Sequence, residues 1–371
     1  MTADEFKEYV RSNGTKKAAK DVDVVTTGTF GAMCSSGAYF NFGHSDPPIK
    51  MQKVWLDGIQ AYTGLAAVDA YLGATELDES NNLFHGGAHV IEDLVRGKAV
   101  RLRATSYGTD CYPRKEMDTY VSLRTLNQAV LFNMRNAYQN YACATNSSQK
   151  TLYTYMGKLL PDFGNATFSS AGEVSPLMND PYYRTIGVGT RIFLGGGEGF
   201  VAWEGTQFNP RVPRTAEGVP KRPAGSLAVI GDLKQMSPDF LKGLTFTKYG
   251  VSLGVGIGVP IPILDEEMAK ACSVTNDKIV TAVFAYAQQT RARTPLREVS
   301  YAELRSGEIT VNGKPVPTSS LSSLYKARQI SEILKNRILK REFSIEKPIQ
   351  TFSMDRVFKP LEVRSEKEAM G

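Results

Sequence analysis

One stretch restricts the fold more than any other: Tyr249-Gly-Val-Ser-Leu-Gly-Val-Gly-Ile-Gly-Val-Pro-Ile-Pro-Ile-Leu264. Glycine alternates there with aliphatic, mostly β-branched, residues. Each interior glycine costs roughly 0.5–1 kcal/mol relative to alanine, so a run of them needs a structural return. A strand pressed against another backbone supplies one, and the two prolines mark its end. The stretch therefore predicts a buried strand in a sheet. Ile186 to Val201 is also rich in glycine and contains Gly195-Gly-Gly-Glu-Gly199. It has no Gly-x-Gly-x-x-Gly in register with a helix and no Walker lysine-serine, so tight turns are the expectation rather than a phosphate cradle. Leu227–Asp232 reads as a further buried strand, and the Pro/Arg-rich 209–223 segment as a loop or lid.

In the first half, residues 2–22 predict an amphipathic helix broken at Asn13-Gly14, and Val22–Thr27 a short strand. A short helix is expected over Gly64–Gly73 and another from His85 to a stop at Gly97. Ala99–Thr105 alternates as a strand. Apolar residues at Val121, Leu126, Val130, Met134, Ala137 and Tyr141 lie close to a 3.6 period and predict a long helix from Asp118 to Cys143. Residues 145–185 read as helix plus irregular loops. Near the end, Ser300-Tyr-Ala-Glu303 is a capping box, Asn312-Gly313 a hairpin turn, and Leu321, Leu324, Ile330, Leu334 and Ile338 the apolar face of a last helix. The fold class expected is α/β: mixed sheets with flanking helices, glycine-rich strands in the second half, and a C-terminal hairpin plus amphipathic helix.

The four cysteines show no paired framework, which suits reduced thiols in a cytoplasm. No run approaches the ~18 apolar residues of a membrane span, and the polar N-terminus is no secretory signal. The formal charge of +6 is concentrated at the end, where residues 321–371 carry eleven Lys/Arg against seven Asp/Glu. No basic stripe with interleaved aromatics points to nucleic acid.

Two cysteines stand out by their neighbours. Cys34 follows a strand end within Gly28-Thr-Phe-Gly-Ala-Met-Cys-Ser-Ser-Gly37, where small residues let backbone N–H groups approach a substrate. Cys111 lies in Ser106-Tyr-Gly-Thr-Asp-Cys-Tyr-Pro-Arg-Lys115, a turn that presents a side chain rather than packing it. Arg114, Lys115 and the expected helix N-terminus favour its thiolate, while Asp110 opposes it. Cys143 and Cys272 read as buried apolar residues. All three histidines, His44, His85 and His89, fall in the first third of the chain. His85 and His89 have a zinc-like spacing without a third ligand in register, and acid–base work suits these side chains better.

Three strings together, Thr29–Ala38, Asn41-Phe-Gly-His-Ser-Asp-Pro-Pro-Ile-Lys50 and Arg103–Lys115, resemble the homocysteine-biosynthesis family of L-aspartate semialdehyde sulfurtransferases. The resemblance spans about 9–352, taken as one domain with room for two subdomains; 353–371 reads as a charged tail. It implies that Cys34 and Cys111 match the family's two cysteines, with activity depending chiefly on the second. It also implies a companion protein with ferredoxin-type iron–sulfur motifs, because the CBS domains of other members are missing here.

The implied chemistry joins L-aspartate 4-semialdehyde, sulfide, two electrons and two protons to give homocysteine and water. Cys111 is expected to carry sulfur as a persulfide, taken from a sulfide or persulfide donor, and Cys34 to resolve the resulting S–S bond. His44, His85 or His89 would protonate the departing oxygen. Arg103 or Arg114 would bind the substrate carboxylate, and Asp46 or Asp110 its ammonium, with Lys50 beside them. An iron–sulfur cluster on Cys34, Cys111 and Cys143 is a minority expectation without Cys-x-x-Cys spacing. A homo-oligomer is expected. A dinucleotide-dependent oxidoreductase using the glycine-rich half, and a non-catalytic sulfur carrier, are the alternatives.

Overall fold

The structure, a computed structural model, describes residues 1–80, 83–290 and 293–364. The elements that position the site are β1 (Thr29–Ala32), β2 (Ser36–Asn41), β3 (Asp69–Gly73), α1 (Gly87–Val95), β4 (Val100–Thr105), β5 (Glu116–Val121), β6 (Gln128–Asn136), β7 (Arg191–Leu194), β8 (Gly197–Glu204), β9 (Leu227–Asp232), β10 (Leu241–Phe246), β11 (Gly250–Gly258) and α2 (Leu324–Leu339).

A nine-stranded sheet runs in the order β10-β11-β7-β8-β9-β6-β2-β3, with β1 paired to β11 off that path. Its pairings are antiparallel. β1 lies beside β11 and β2 beside β6, yet only Met33, Cys34 and Ser35 separate β1 from β2. In a flat sheet those places would be at least four strand spacings apart, about 19 Å. The connection reaches roughly 14 Å at full extension. The sheet must curl, and Cys34 lies on the short link that draws its distant parts together.

The glycines of β11 have the role their alternation predicts, with a helix among the close neighbours. A Cβ on Gly258 would lie 2.6 Å from Ile330 Cγ2 of α2 and 3.0 Å from the Thr27 carbonyl oxygen. Gly195 and Gly196, with φ of 59° and 107°, make the turn between β7 and β8. No helix begins there, so the stretch has no dinucleotide-type strand-to-helix phosphate site.

A second, six-stranded sheet is mixed. Cys143–Thr145 pairs parallel with Val280–Ala285, and Ala166–Phe168 parallel with Lys314–Ser320. Phe168, Tyr301, Ile309 and Val316 form a separate apolar core on it. The α/β class, the hairpin at Asn312-Gly313 and the C-terminal helix thus agree with the sequence reading, as do the helices Ala3–Asn13 and Thr15–Asp21 and the capping box at Ser300.

Two expectations are overturned and a third is corrected in part. The helix predicted over Asp118–Cys143 is instead β5, β6 and the strand Cys143–Thr145. Ala129, Leu131 and Asn133 are buried two residues apart, the period of a strand, and pairing with β2 and β9 fixes it. The helix predicted over Gly64–Gly73 is bends followed by β3, whose Ala70 and Leu72 alternate inward. Residues 145–185 hold short strands and a four-residue helix, Pro176–Asn179.

Candidate active site

Cys34 opens into a cavity of about 410 Å³ at the junction of the two sheets. Its walls come from the β1–β2 link, from the chain just after β6 (Ala137, Tyr138, Tyr141) and from Tyr155, Ser169 and Ser170 beside the second sheet. Such junctions are common ligand sites. Ser252 on β11, fully buried, donates its hydroxyl proton to Cys34 Sγ at 3.3 Å. That bond directs the sulfur along the wall of the cavity.

Arg135, at the end of β6, brings a positive charge to the same cavity. Buried Asn133 sets its position: the Asn133 side-chain oxygen accepts from the Arg135 backbone N–H at 2.8 Å, and its amide donates to Ser36 Oγ at 2.6 Å. Arg135 Nη2 donates to Ser35 Oγ at 3.3 Å, tying the guanidinium to the residue after Cys34. Among the described residues, no Asp or Glu lines the cavity.

Tyrosines form much of the remaining wall. Tyr138 and Tyr141 have ring centroids 5.2 Å apart, and Tyr155 lies 6.4 Å from Tyr141 and 6.3 Å from Tyr249. Tyr141 Oη donates to Tyr155 Oη at 3.0 Å, and Tyr155 and Tyr286 share a bond of 3.1 Å. Burial raises the pKa of Tyr138, Tyr141, Tyr249 and Tyr286 above the ordinary phenol value. These hydroxyls stay protonated near neutral pH; Tyr141 commits its proton to Tyr155 and Tyr286 lies outside the lining, which leaves Tyr138 and Tyr249 to donate to a substrate oxygen.

Cys111 lies elsewhere, at the tip of the loop joining β4 to β5. Thr109 and Tyr112 exchange backbone hydrogen bonds of 2.9 and 3.1 Å around Asp110-Cys111, and Gly108 turns the chain with φ 77°. The thiol is exposed, 3.5 Å from Thr109 Oγ1. Presentation on a turn agrees with the sequence. The helix N-terminus expected to favour its thiolate is absent, because β5 follows the loop.

Arg114 fastens this loop to the 41–50 segment, donating to the carbonyl oxygens of Pro47 at 2.9 Å and Asp46 at 2.6 Å. His44 stacks on Tyr112 with centroids 6.0 Å apart. His44, Arg103 and Arg114 line a separate groove of about 880 Å³ on the β4–β5 sheet. Arg103 lies over the Trp55 ring at 5.3 Å. Asp46 engages Arg114 through its backbone carbonyl, and Lys50 and Asp110 are exposed.

His85 and His89 lie 5.5 Å apart at the start of α1, where His89 Nε2 is 3.3 Å from Thr245 Oγ1. Burial, then the neighbouring His85, holds His89 below the usual histidine range. Neither Cys111 nor any of the histidines lines the Cys34 cavity.

The two thiols of the sequence reading are not brought together. Cys34 precedes β2, and the His44–Tyr112 contact follows its far end; six strand residues span roughly 20 Å. The three-cysteine cluster set also fails to assemble. Cys143 is buried in the second core, its thiol pushed up to about 12 by burial. Among the described residues, no group of three His, Cys, Asp or Glu is placed to hold a metal ion. Cys272 is buried too, pushed up to about 12 chiefly by burial, and donates to the Asn179 carbonyl.

Arg135, Tyr138, Tyr141 and Ser252 were not singled out by the sequence. The misread helix hid the first three. The density of tyrosine from Tyr138 to Tyr155 was the available signal.

A strand-built fold with an exposed thiol at a polar cavity defines a cysteine-bearing α/β protein, and comparison with known proteins narrows it. Residues 1–345 match the family model described as "Homocysteine biosynthesis enzyme, sulfur-incorporation". The chain belongs to that family. It is similar to the L-aspartate semialdehyde sulfurtransferase of Methanosarcina acetivorans, 52% identical over 355 residues that make up 96% of this chain and 69% of that protein. The protein of the same name from Methanocaldococcus jannaschii is 49% identical over 366 residues, 95% of this chain and 70% of that one. No solved structure matches the chain.

Proposed function

We propose that the protein inserts reduced sulfur into L-aspartate 4-semialdehyde to give L-homocysteine, by way of a cysteine persulfide and two external electrons. The observation that carries this reading is Cys34 on the wall of a cavity that also holds a guanidinium and protonated phenols, in a chain of a sulfur-incorporation family. The relatives' names supply the substrate.

A balanced cycle follows from thiol–disulfide chemistry. Hydrosulfide opens a Cys34–Cys111 disulfide, leaving a Cys111 persulfide and a Cys34 thiol. The terminal persulfide sulfur adds to the aldehyde carbon, whose oxygen takes a proton. Cys34 thiolate then attacks Cys111 Sγ, restoring the disulfide and releasing the thiohemiacetal. Loss of water gives a thioaldehyde, and two electrons with two protons from an outside low-potential donor of ferredoxin type reduce it to the thiol. With the two sulfurs at opposite ends of β2, this exchange runs between two copies of the chain, the exposed Cys111 loop of one meeting the Cys34 cavity of the other.

The test is an anaerobic assay with L-aspartate semialdehyde, sulfide and titanium(III) citrate. Wild type is expected to form homocysteine, Cys34→Ala and Cys111→Ala to lose it, and a mixture of the two variants to regain part. Absence of homocysteine from wild type overturns the function. Full activity in Cys34→Ala overturns the role of the cavity.

A further inference from the structure

The Cys34 cavity holds more recognition chemistry than a bare aldehyde needs. Among the described residues Arg135 is the one cation in the lining and no carboxylate lines it; beyond its Nη2 bond to Ser35 and its interaction with Tyr138, the guanidinium has further N–H groups for a ligand. Ser175, 5% exposed, lines the same cavity, and its hydroxyl has no hydrogen-bond partner among the described residues. A buried hydroxyl left unpaired costs free energy that a bound polar ligand would recover. The tyrosine rings offer negative faces to a cation where no acidic side chain among the described residues does.

Arg103 and Arg114 are engaged elsewhere. The first lies over Trp55, and the second is bonded to the Asp46 and Pro47 carbonyls.

We infer that the Cys34 cavity is built for a small α-amino acid, with Arg135 holding the α-carboxylate, the Tyr138–Tyr141–Tyr155 rings facing the ammonium, and the side-chain end directed to Cys34. This rests on the sulfur-insertion reading for the identity of the reacting end, and it moves substrate recognition from the β4–β5 groove to the junction of the sheets. Arg135 is a specificity-determining residue, because it discriminates by the carboxylate and does not touch the reacting carbon.

Two measurements test it on the intact protein. The first is calorimetric binding of L-homoserine, which has the same length but no aldehyde. Wild type is expected to bind, Arg135→Met to bind about 10- to 100-fold more weakly, as for loss of a charge-assisted hydrogen-bonded partner, and Arg135→Lys to fall between. Circular dichroism and Tm establish that each variant is folded.

The second compares turnover of L-aspartate semialdehyde, 3-aminopropanal, which lacks only the carboxylate, and succinic semialdehyde, which lacks only the ammonium. Arg135→Met should raise KM for the first and third while leaving kcat/KM for 3-aminopropanal unchanged. Equal homoserine affinity in wild type and folded Arg135→Met overturns the inference, as does an equal loss of activity on all three aldehydes. Arg135-dependent homoserine binding without turnover of any aldehyde sustains the inference and instead removes the sulfur-insertion reading.

Discussion

Ser252 Oγ donates to Cys34 Sγ across 3.3 Å, joining a buried residue of β11 to the link between β1 and β2. The bond selects one orientation of the sulfur. Replacing Ser252 by Ala removes it without adding bulk. A neutral hydrogen bond contributes about 0.5–1.5 kcal/mol, so kcat should fall about 3- to 10-fold with little change in homoserine affinity. Steady-state kinetics beside calorimetry checks this. A matching loss of affinity would assign Ser252 to substrate binding instead.

The four thiols fall into two classes. Cys34 and Cys111 are exposed, whereas Cys143 and Cys272 are buried and pushed up to about 12 from an ordinary 9.0. Iodoacetamide under native conditions should modify only the first pair by mass spectrometry, and all four after denaturation. The shift also sets a pH dependence. Above pH 9 the unfolded chain loses thiol protons that the folded chain keeps, so these groups make stability fall as pH rises from about 9 toward about 12. Each contributes a slope of up to about 1.4 kcal/mol per pH unit. Denaturant melts of the Cys143→Ala/Cys272→Ala variant should show a shallower decline over that window than wild type.

Oxidation reports on the separation of the reactive pair. A disulfide needs Cα atoms within about 7 Å, and Cys34 and Cys111 flank opposite ends of β2. In a Cys143→Ala/Cys272→Ala background, mild oxidation should give Cys34–Cys111 links only in covalent dimers on a non-reducing gel. An oxidised monomer with both thiols consumed and linked would overturn the two-chain exchange.

Gly28 tests the contact that holds α2 to the curled sheet. A Cβ there would lie 2.1 Å from the Ala327 carbonyl oxygen, a backbone atom that cannot swing aside. Gly28→Ala should cost about 1–3 kcal/mol or more and lower Tm by several degrees, whereas Gly58→Ala, with open space around it, tests only backbone strain at φ 82°.

The sequence was most legible where one physical requirement admitted one answer. The Gly/β-branched run could only be a close-packed strand, Asn312-Gly313 only a hairpin, and the Cys111 loop only a presenting turn. It was least legible from Asp118 to Cys143, where apolar residues happened to satisfy a helical period while the neighbouring strands imposed a period of two. That error had a chemical consequence. A helical reading of this segment does not show that Arg135 and the tyrosines after it lie beside Cys34, where the strand pairing and the turn after it place them. Spatial partnership across β11, β6 and the second sheet is a property of pairing register, which no local pattern in the chain records.

The short link at Cys34 has a bearing on the order of events during folding. Thr29–Ala32 must find Ile257–Gly254, more than two hundred positions further along the chain, before the link can draw tight. Such distant pairings are slow to close. The cavity at Cys34 therefore depends on a contact between distant parts of the chain, and a chain in which that pairing has not formed has the thiol without the chamber around it.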